Sequence, residues 1–195
     1  MIEYTRILFM DADTLAVGPL GSLLDVQQWL QHPSQHVAAV MDYHRGSWTA
    51  AWNSGVMLFK PNIHEATRIN AILNKRDVRI PATDGDQSFL NWLYPHTSKA
   101  FVTLPLEFNG MSHVEVLQPA VWAEVMPKLH AIHFTTRKAW ACPESYERSV
   151  WTVDLARACK GTVRVGATER VSQMGIACYC SLGYKWWRAF RGQHR

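Results

Sequence analysis

Ile7-Leu8-Phe9-Met10-Asp11-Ala12-Asp13 is the stretch on which the fold turns. Four apolar residues in succession read as a strand covered on both faces, because a strand covered on one face alternates apolar with polar. The run then stops at two carboxylates. Side chains alternate along a strand, so Asp11 and Asp13 are expected on one side with Ala12 opposite. Two neighbouring carboxylates repel unless a cation lies between them, and their oxygens select hard ions such as Mg²⁺ or Mn²⁺. A solvated turn or a helix N-cap accounts for the same residues without an ion.

Outward from this stretch the pattern repeats. Val37-Ala38-Ala39-Val40-Met41 is a second apolar run, closing on Asp42, and Gly55 to Phe59 is a third. Leu20 to Leu30 can form a helix. Pro61-Asn62 with Glu65 after it reads as a capped helix start, with Ile63, Ala66, Ile69 and Leu73 on one face. A further helix is expected over Asp86 to Tyr94, strands over Phe101 to Leu104 and Leu129 to Phe134, and a helix over Glu144 to Lys160 stopped by Gly161. Strands alternating with helices predict an α/β fold with a largely parallel sheet.

Composition narrows the function classes. The 195 residues are 48% hydrophobic and include nine Trp, too apolar for a disordered chain. The net charge of +4 suits a phosphate-bearing partner and falls short of a nucleic-acid footprint. Cys142, Cys159, Cys178 and Cys180 form no C-x-x-C pair, so thiols explain them better than a zinc site or a disulfide framework. No run of eighteen apolar residues and no signal-like start is present. The tail from Tyr184 to Arg195 is aromatic and basic; a packed helix or loose tail explains it better than contact with an acidic membrane.

An apolar strand ending in D-x-D also suits a haloacid-dehalogenase-like phosphatase, in which the first Asp attacks phosphate. That family usually places Thr or Val four residues after the nucleophile, where this chain has Leu15. Its required lysine and later acidic pair find loose candidates in Lys60 and Asp84/Asp86.

The downstream blocks favour another family. Tyr4 through Val17, carrying R-I-L-F-M-D-A-D, resembles the metal-motif segment of glycogenin-like glycosyltransferase family 8. Ala38 to Asp42, Trp52-Asn53-Ser54-Gly55 through Pro61, Gly85-Asp86-Gln87 through Asn91, Leu104-Pro105 through Asn109, and His133-Phe134-Thr135-Thr136-Arg137-Lys138-Ala139-Trp140 resemble its later blocks in order. The likeness spans residues 4 to 140.

The resemblance implies a GT-A-like nucleotide-diphospho-sugar transferase fold and a retaining, Mn²⁺-dependent transfer of a hexose, glucose or glucuronic acid, from a UDP-sugar to a glycan or protein acceptor. Asp11, Asp13 and His133 would hold Mn²⁺, with Mg²⁺ as the alternative ion. Lys138 would meet the diphosphate; Asn53, Ser54, Gly55, Asp42, Asn109 and Ala12 would contact the donor; Asp86 and Gln87 would face the sugar carbon being transferred. His133 taken alone reads as a buried core histidine. A homodimer stays open, as does a cytoplasmic or Golgi-lumenal location, and a sugar-nucleotide-binding chain that has lost turnover is a further alternative.

Departures from the family pattern fall at Thr136, Ala139, Phe108 and Thr83, which bear on sugar selectivity. Family domains open with strand-helix units for the uridine before the metal motif. Residues 1–160 are therefore expected to be the later part of a catalytic domain whose opening units are missing, and residues 161–195 a C-terminal extension.

Overall fold

The computed structural model describes residues 3–25, 28–44, 47–75 and 85–135, with backbone alone for His44 and Val116. The expected helix over 144–160, the aromatic tail, the four cysteines and the Lys138–Trp140 segment lie outside the described residues. So does the expected boundary at residue 160. Within them, seven strands form: β1 (Ile7–Met10), β2 (Thr14–Ala16), β3 (Val37–His44), β4 (Ser47–Phe59), β5 (Phe101–Leu104), β6 (Gly110–Met111) and β7 (Ala131–His133). Four α-helices accompany them: α1 (Ile63–Leu73), α2 (Asp86–Leu93), α3 (Ser112–Leu117) and α4 (Pro119–Val125).

The chain divides into two compact units, one of residues 1–11 and 19–108, the other of 12–18 and from 109 onward. In the first, strand order is β1-β4-β3-β5. The α/β class holds, but the described sheet is mixed rather than largely parallel: β4 is antiparallel to both β1 and β3, and β3 is parallel to β5. Connection length explains this. His44 pairs with Ser47, leaving room only for a hairpin, whereas the route from β4 to β5 carries α1 and α2 and permits a parallel return. A continuous apolar run says nothing about strand direction, and in β1, at the edge of the described sheet, the expected cover on both faces is incomplete, with Phe9 39% exposed.

Val37, Ala39, Trp52, Met57, Tyr94 and Phe101 form the core beside this sheet, with Leu90 and Leu93 of α2 packed on it. Trp52 stacks on Phe101 at 5.4 Å between ring centroids, and its indole N–H donates to the carbonyl of Tyr94 at 2.9 Å. Truncating so large a buried ring to alanine typically costs about 3–5 kcal/mol.

Two expected helices need correction. Among the described residues between Leu20 and Leu30 the helical structure is a 3₁₀ turn, at Gly21–Leu24, and Asp25 is already extended with ψ 110°. Leu23 and Leu30 are buried singly instead of as a helical stripe, and the Arg6 guanidinium holds the Leu30 carbonyl at 2.9 Å. Helix α1 starts as expected, with Asn62 Oδ1 accepting from the His64 N–H at 2.8 Å and the Glu65 N–H at 3.4 Å. Its inward side, however, carries Glu65, Ile69 and Ile72, while Ile63 and Leu73 are 55% and 52% exposed. Glu65 turns inward because Tyr94 donates to it at 2.7 Å and Arg68 Nε at 3.0 Å. The Arg68 contact, followed by the tyrosine hydroxyl, holds the Glu65 carboxyl below the usual range against the opposing effect of burial.

In the second unit the order is β2-β7-β6, with β7 antiparallel to β2 and parallel to β6. Pro119 opens α4, where a missing N–H is tolerated. Gly110 has no room for a side chain: a Cβ there would press into Leu129 and lie 3.2 Å from the Ala131 carbonyl. No helix among the described residues is long and apolar enough to cross a membrane.

Candidate active site

Pairing of β2 with β7 closes a sequence separation that no local signal spans. Thr14 sits opposite His133, and the Phe134 N–H donates to the Asp13 carbonyl at 2.9 Å. Asp13 is thereby held at the entry to β2, with its Oδ1 3.4 Å from His133 Nε2. Asp11 to Asp13 form a turn instead of continuing β1, so strand alternation does not aim the two carboxylates. They converge all the same: the ligand atoms of Asp11, Asp13 and His133 lie within 4.8 Å of one another. His133 is 5% exposed and both aspartates are half-buried.

Two carboxylates and one imidazole fit a divalent ion that accepts oxygen and nitrogen ligands, and leave coordination positions for other groups. Two carboxylates so close repel each other, and a cation between them would offset that repulsion. The donor set therefore fits a divalent metal. Ala12, between the two acids, is exposed.

In the first unit a second group assembles around Gln87, on the first turn of α2. Its Nε2 donates to Asp42 Oδ2 at 2.9 Å, and its Oε1 accepts from Asn53 Nδ2 at 3.2 Å and the Ser54 N–H at 3.1 Å. Asn53 Oδ1 accepts the Gly55 N–H at 3.0 Å, and the Gly55 carbonyl accepts the Asp11 N–H at 2.8 Å. Asn53 and Ser54 are 6% and 5% exposed. Asp42, Asn53, Ser54, Gly55 and Gln87 thus form one hydrogen-bonded cluster within β3, β4 and α2.

Asp86 lies exposed at the first residue of α2, after Gly85, whose φ of 63° suits a residue without a Cβ. Asn109 is fully buried just before β6. Lys138 falls outside the described residues. Sequence reasoning gave no role to Asn91, whose side-chain amide bonds both the N–H and the carbonyl of Trp52, at 2.7 and 2.8 Å. The available signals were its place at the end of the Gly85–Asn91 block and its spacing, one helical turn after Gln87. The lysine needed by the phosphatase alternative does not present itself as a catalytic group: Lys60 Nζ contacts the His32 carbonyl at 3.4 Å.

No protein-family model matches the chain. It is similar to "Putative UDP-glucuronate:xylan alpha-glucuronosyltransferase 3" of Arabidopsis thaliana, 21% identical over 164 residues that cover 80% of this chain and 23% of that protein. It is also similar to Glycogenin-2 of Homo sapiens, 24% identical over 144 residues covering 72% of this chain and 26% of that protein. The chain thus spans about a quarter of the length of these curated relatives. Among solved structures, the apo form of the bifunctional glycosyltransferase WbbM matches with a TM-score of 0.51 at 19% identity, over 71% of this chain and 30% of that one, a likeness of fold. At the level of family and no finer, the chain is similar to glycogenin-like glycosyltransferases, and its fold is like that of a solved glycosyltransferase. None of these findings points to a phosphatase.

Proposed function

We propose that the chain supplies the metal and donor-sugar part of a retaining transferase that moves a hexose, glucose or glucuronic acid, from a UDP-sugar to a hydroxyl of a glycan or protein. The observation that carries this is the convergence of Asp11, Asp13 and His133 within 4.8 Å. In the reaction the bond from the anomeric carbon to the diphosphate oxygen breaks, a bond to the acceptor oxygen forms on the same face, and the acceptor hydroxyl gives up its proton to the departing diphosphate or to solvent. Mn²⁺ held by these three residues would offset the charge that builds on the departing diphosphate.

The remaining residues act on the sugar and on charge. Asn53 and Ser54 offer hydrogen bonds to sugar hydroxyls, with Gly55 giving close approach. Asp42 accepts from a further hydroxyl, Ala12 and Asn109 border the donor, and Lys138 places a cation on the diphosphate. Both ends of the Gln87 amide are already engaged, which favours Asp86 as the carboxylate facing the reacting carbon and Gln87 as its neighbour's support. A carboxylate there either stabilises an oxocarbenium-like transition state or attacks the anomeric carbon as the diphosphate leaves.

The test is calorimetric binding of UDP-glucose and UDP-glucuronate with and without Mn²⁺, paired with Mn²⁺-dependent release of UDP. Metal-dependent binding that Asp13→Asn abolishes supports the reading. Binding indifferent to Mn²⁺ and to that substitution refutes it.

A further inference from the structure

The ladder between β3 and β4 breaks where Asn53 and Ser54 lie. Ala39 pairs with Met57 and Met41 with Trp52, so β3 advances two residues while β4 advances five. The residues of β4 in that interval bulge out of register with β3, and buried backbone groups in a bulge need other partners. Side chains supply several of them. Gln87 Oε1 takes the Ser54 N–H, Asn53 Oδ1 takes the Gly55 N–H, and the Asp11 N–H reaches the Gly55 carbonyl.

Asn91 fixes where the bulge begins. Its Oδ1 accepts the Trp52 N–H at 2.7 Å, and its Nδ2 donates to the Trp52 carbonyl at 2.8 Å and to the Gln87 carbonyl at 2.9 Å. An amide carries both a donor and an acceptor, so it can pair with the N–H and the carbonyl of one residue as a neighbouring strand would. Through the same nitrogen it ties that residue to the backbone of Gln87. Trp52 is in turn anchored by its ring on Phe101 and its indole N–H on the Tyr94 carbonyl.

We infer that Asn91 is a positioning and specificity-determining residue for the donor sugar, acting through Trp52 to set how Asn53 and Ser54 are presented. This rests on the donor-site reading above. Asn91 itself meets β4 and α2, not the ligand. Aspartate has the shape of asparagine but no N–H₂, so Asn91→Asp would turn a carboxylate oxygen toward the Trp52 and Gln87 carbonyls. Asn91→Gln keeps the amide on a stem one methylene longer.

The full chain with Mn²⁺ is titrated calorimetrically with UDP-glucose and, separately, with UDP. For Asn91→Asp the UDP-glucose affinity is expected to fall about tenfold while UDP stays within about twofold, and Asn91→Gln recovers part of the loss. Equal losses for both ligands, or no loss, overturn the inference. If Asn91→Asp does not fold, hydrogen exchange on the wild-type protein decides: UDP-glucose must slow exchange across Trp52 to Val56 more than UDP does, and equal slowing or none overturns it. A wild-type chain that binds UDP-glucose no differently from UDP removes the donor-sugar reading itself, a result visible before any variant is made.

Discussion

Gln87 Nε2 donates to Asp42 Oδ2 at 2.9 Å, joining the first turn of α2 to the end of β3 across 45 positions of sequence. Because an amide nitrogen only donates, this contact fixes which way the Gln87 side chain faces and turns its oxygen to Asn53 and the Ser54 N–H. The arrangement depends on an amide at position 87 and a carboxylate at position 42.

Gln87→Glu replaces the donor with a carboxylate facing Asp42, leaving like charges close together. Losing a hydrogen bond and leaving partly buried partners unmet costs about 1–3 kcal/mol. Sugar-nucleotide affinity is accordingly expected to fall about tenfold to a hundredfold, with a lower denaturation midpoint. Acidification that protonates the introduced Glu should restore part of the affinity. Titrating UDP-glucose at two pH values checks both effects.

The metal ligands allow a test free of turnover. His133→Ala removes the nitrogen ligand and Asp13→Asn one charge, and either is expected to weaken Mn²⁺ binding by at least about tenfold. Ala12→Gly, between the two acids on an exposed position, should leave Mn²⁺ affinity nearly unchanged. Electron paramagnetic resonance of free Mn²⁺ during titration measures all three. Unaltered affinity in the first two variants removes these residues as ligands.

How far the sequence reaches differs from residue to residue. The strand at Ile7–Met10 is legible because four apolar residues between Arg6 and Asp11 leave little else to form, and that at Phe101–Leu104 because a short aromatic and β-branched run ends at Pro105. Strand direction is not, since it depends on connections and not on the run itself. His133 joins Asp13 only through β2, whose three residues Thr14-Leu15-Ala16 carry no period long enough to read, so the family resemblance, and not local pattern, points to that triad. The inward face of α1 is misread because Glu65 is drawn in by Tyr94 and Arg68, partners that sequence spacing alone does not reveal together. Asn91 stands in the family block but receives no role there, because an asparagine on a helix most often faces solvent and its partner is the backbone of Trp52, 39 residues away.

Gly110→Ala probes the packing of β6 beside β7. The added methyl would push the Leu129 side chain aside and crowd the Ala131 carbonyl, with a cost of about 1–3 kcal/mol for overpacking. Shortening the neighbour in the double variant Gly110→Ala/Leu129→Val should recover part of that loss beyond the sum of the two single effects. Urea unfolding of the four proteins in the cycle measures it; strict additivity would show that Leu129 is not the obstacle.

Glu115, on α3 and only 4% exposed, sets a pH dependence opposite to that of a salt-bridged acid. Burial pushes its carboxyl up to about 8 from an ordinary 4.5. Between those values the folded protein keeps a proton that the unfolded chain has released, so the folded state is favoured at the acid end. Stability from this group falls as pH rises above 4.5, by up to about 1.4 kcal/mol per unit, and levels off beyond about 8. Glutamine has the same shape without the ionisation, so Glu115→Gln should match the wild type near pH 4.5 and be more stable by a few kcal/mol at pH 8. Glu65, held low by Arg68, contributes the reverse slope at more acid pH and is common to both proteins, so it cancels in the comparison. Denaturant midpoints measured from pH 4.5 to 8.5 should diverge steadily between the two; curves that stay parallel would show that Glu115 ionises freely in the folded protein.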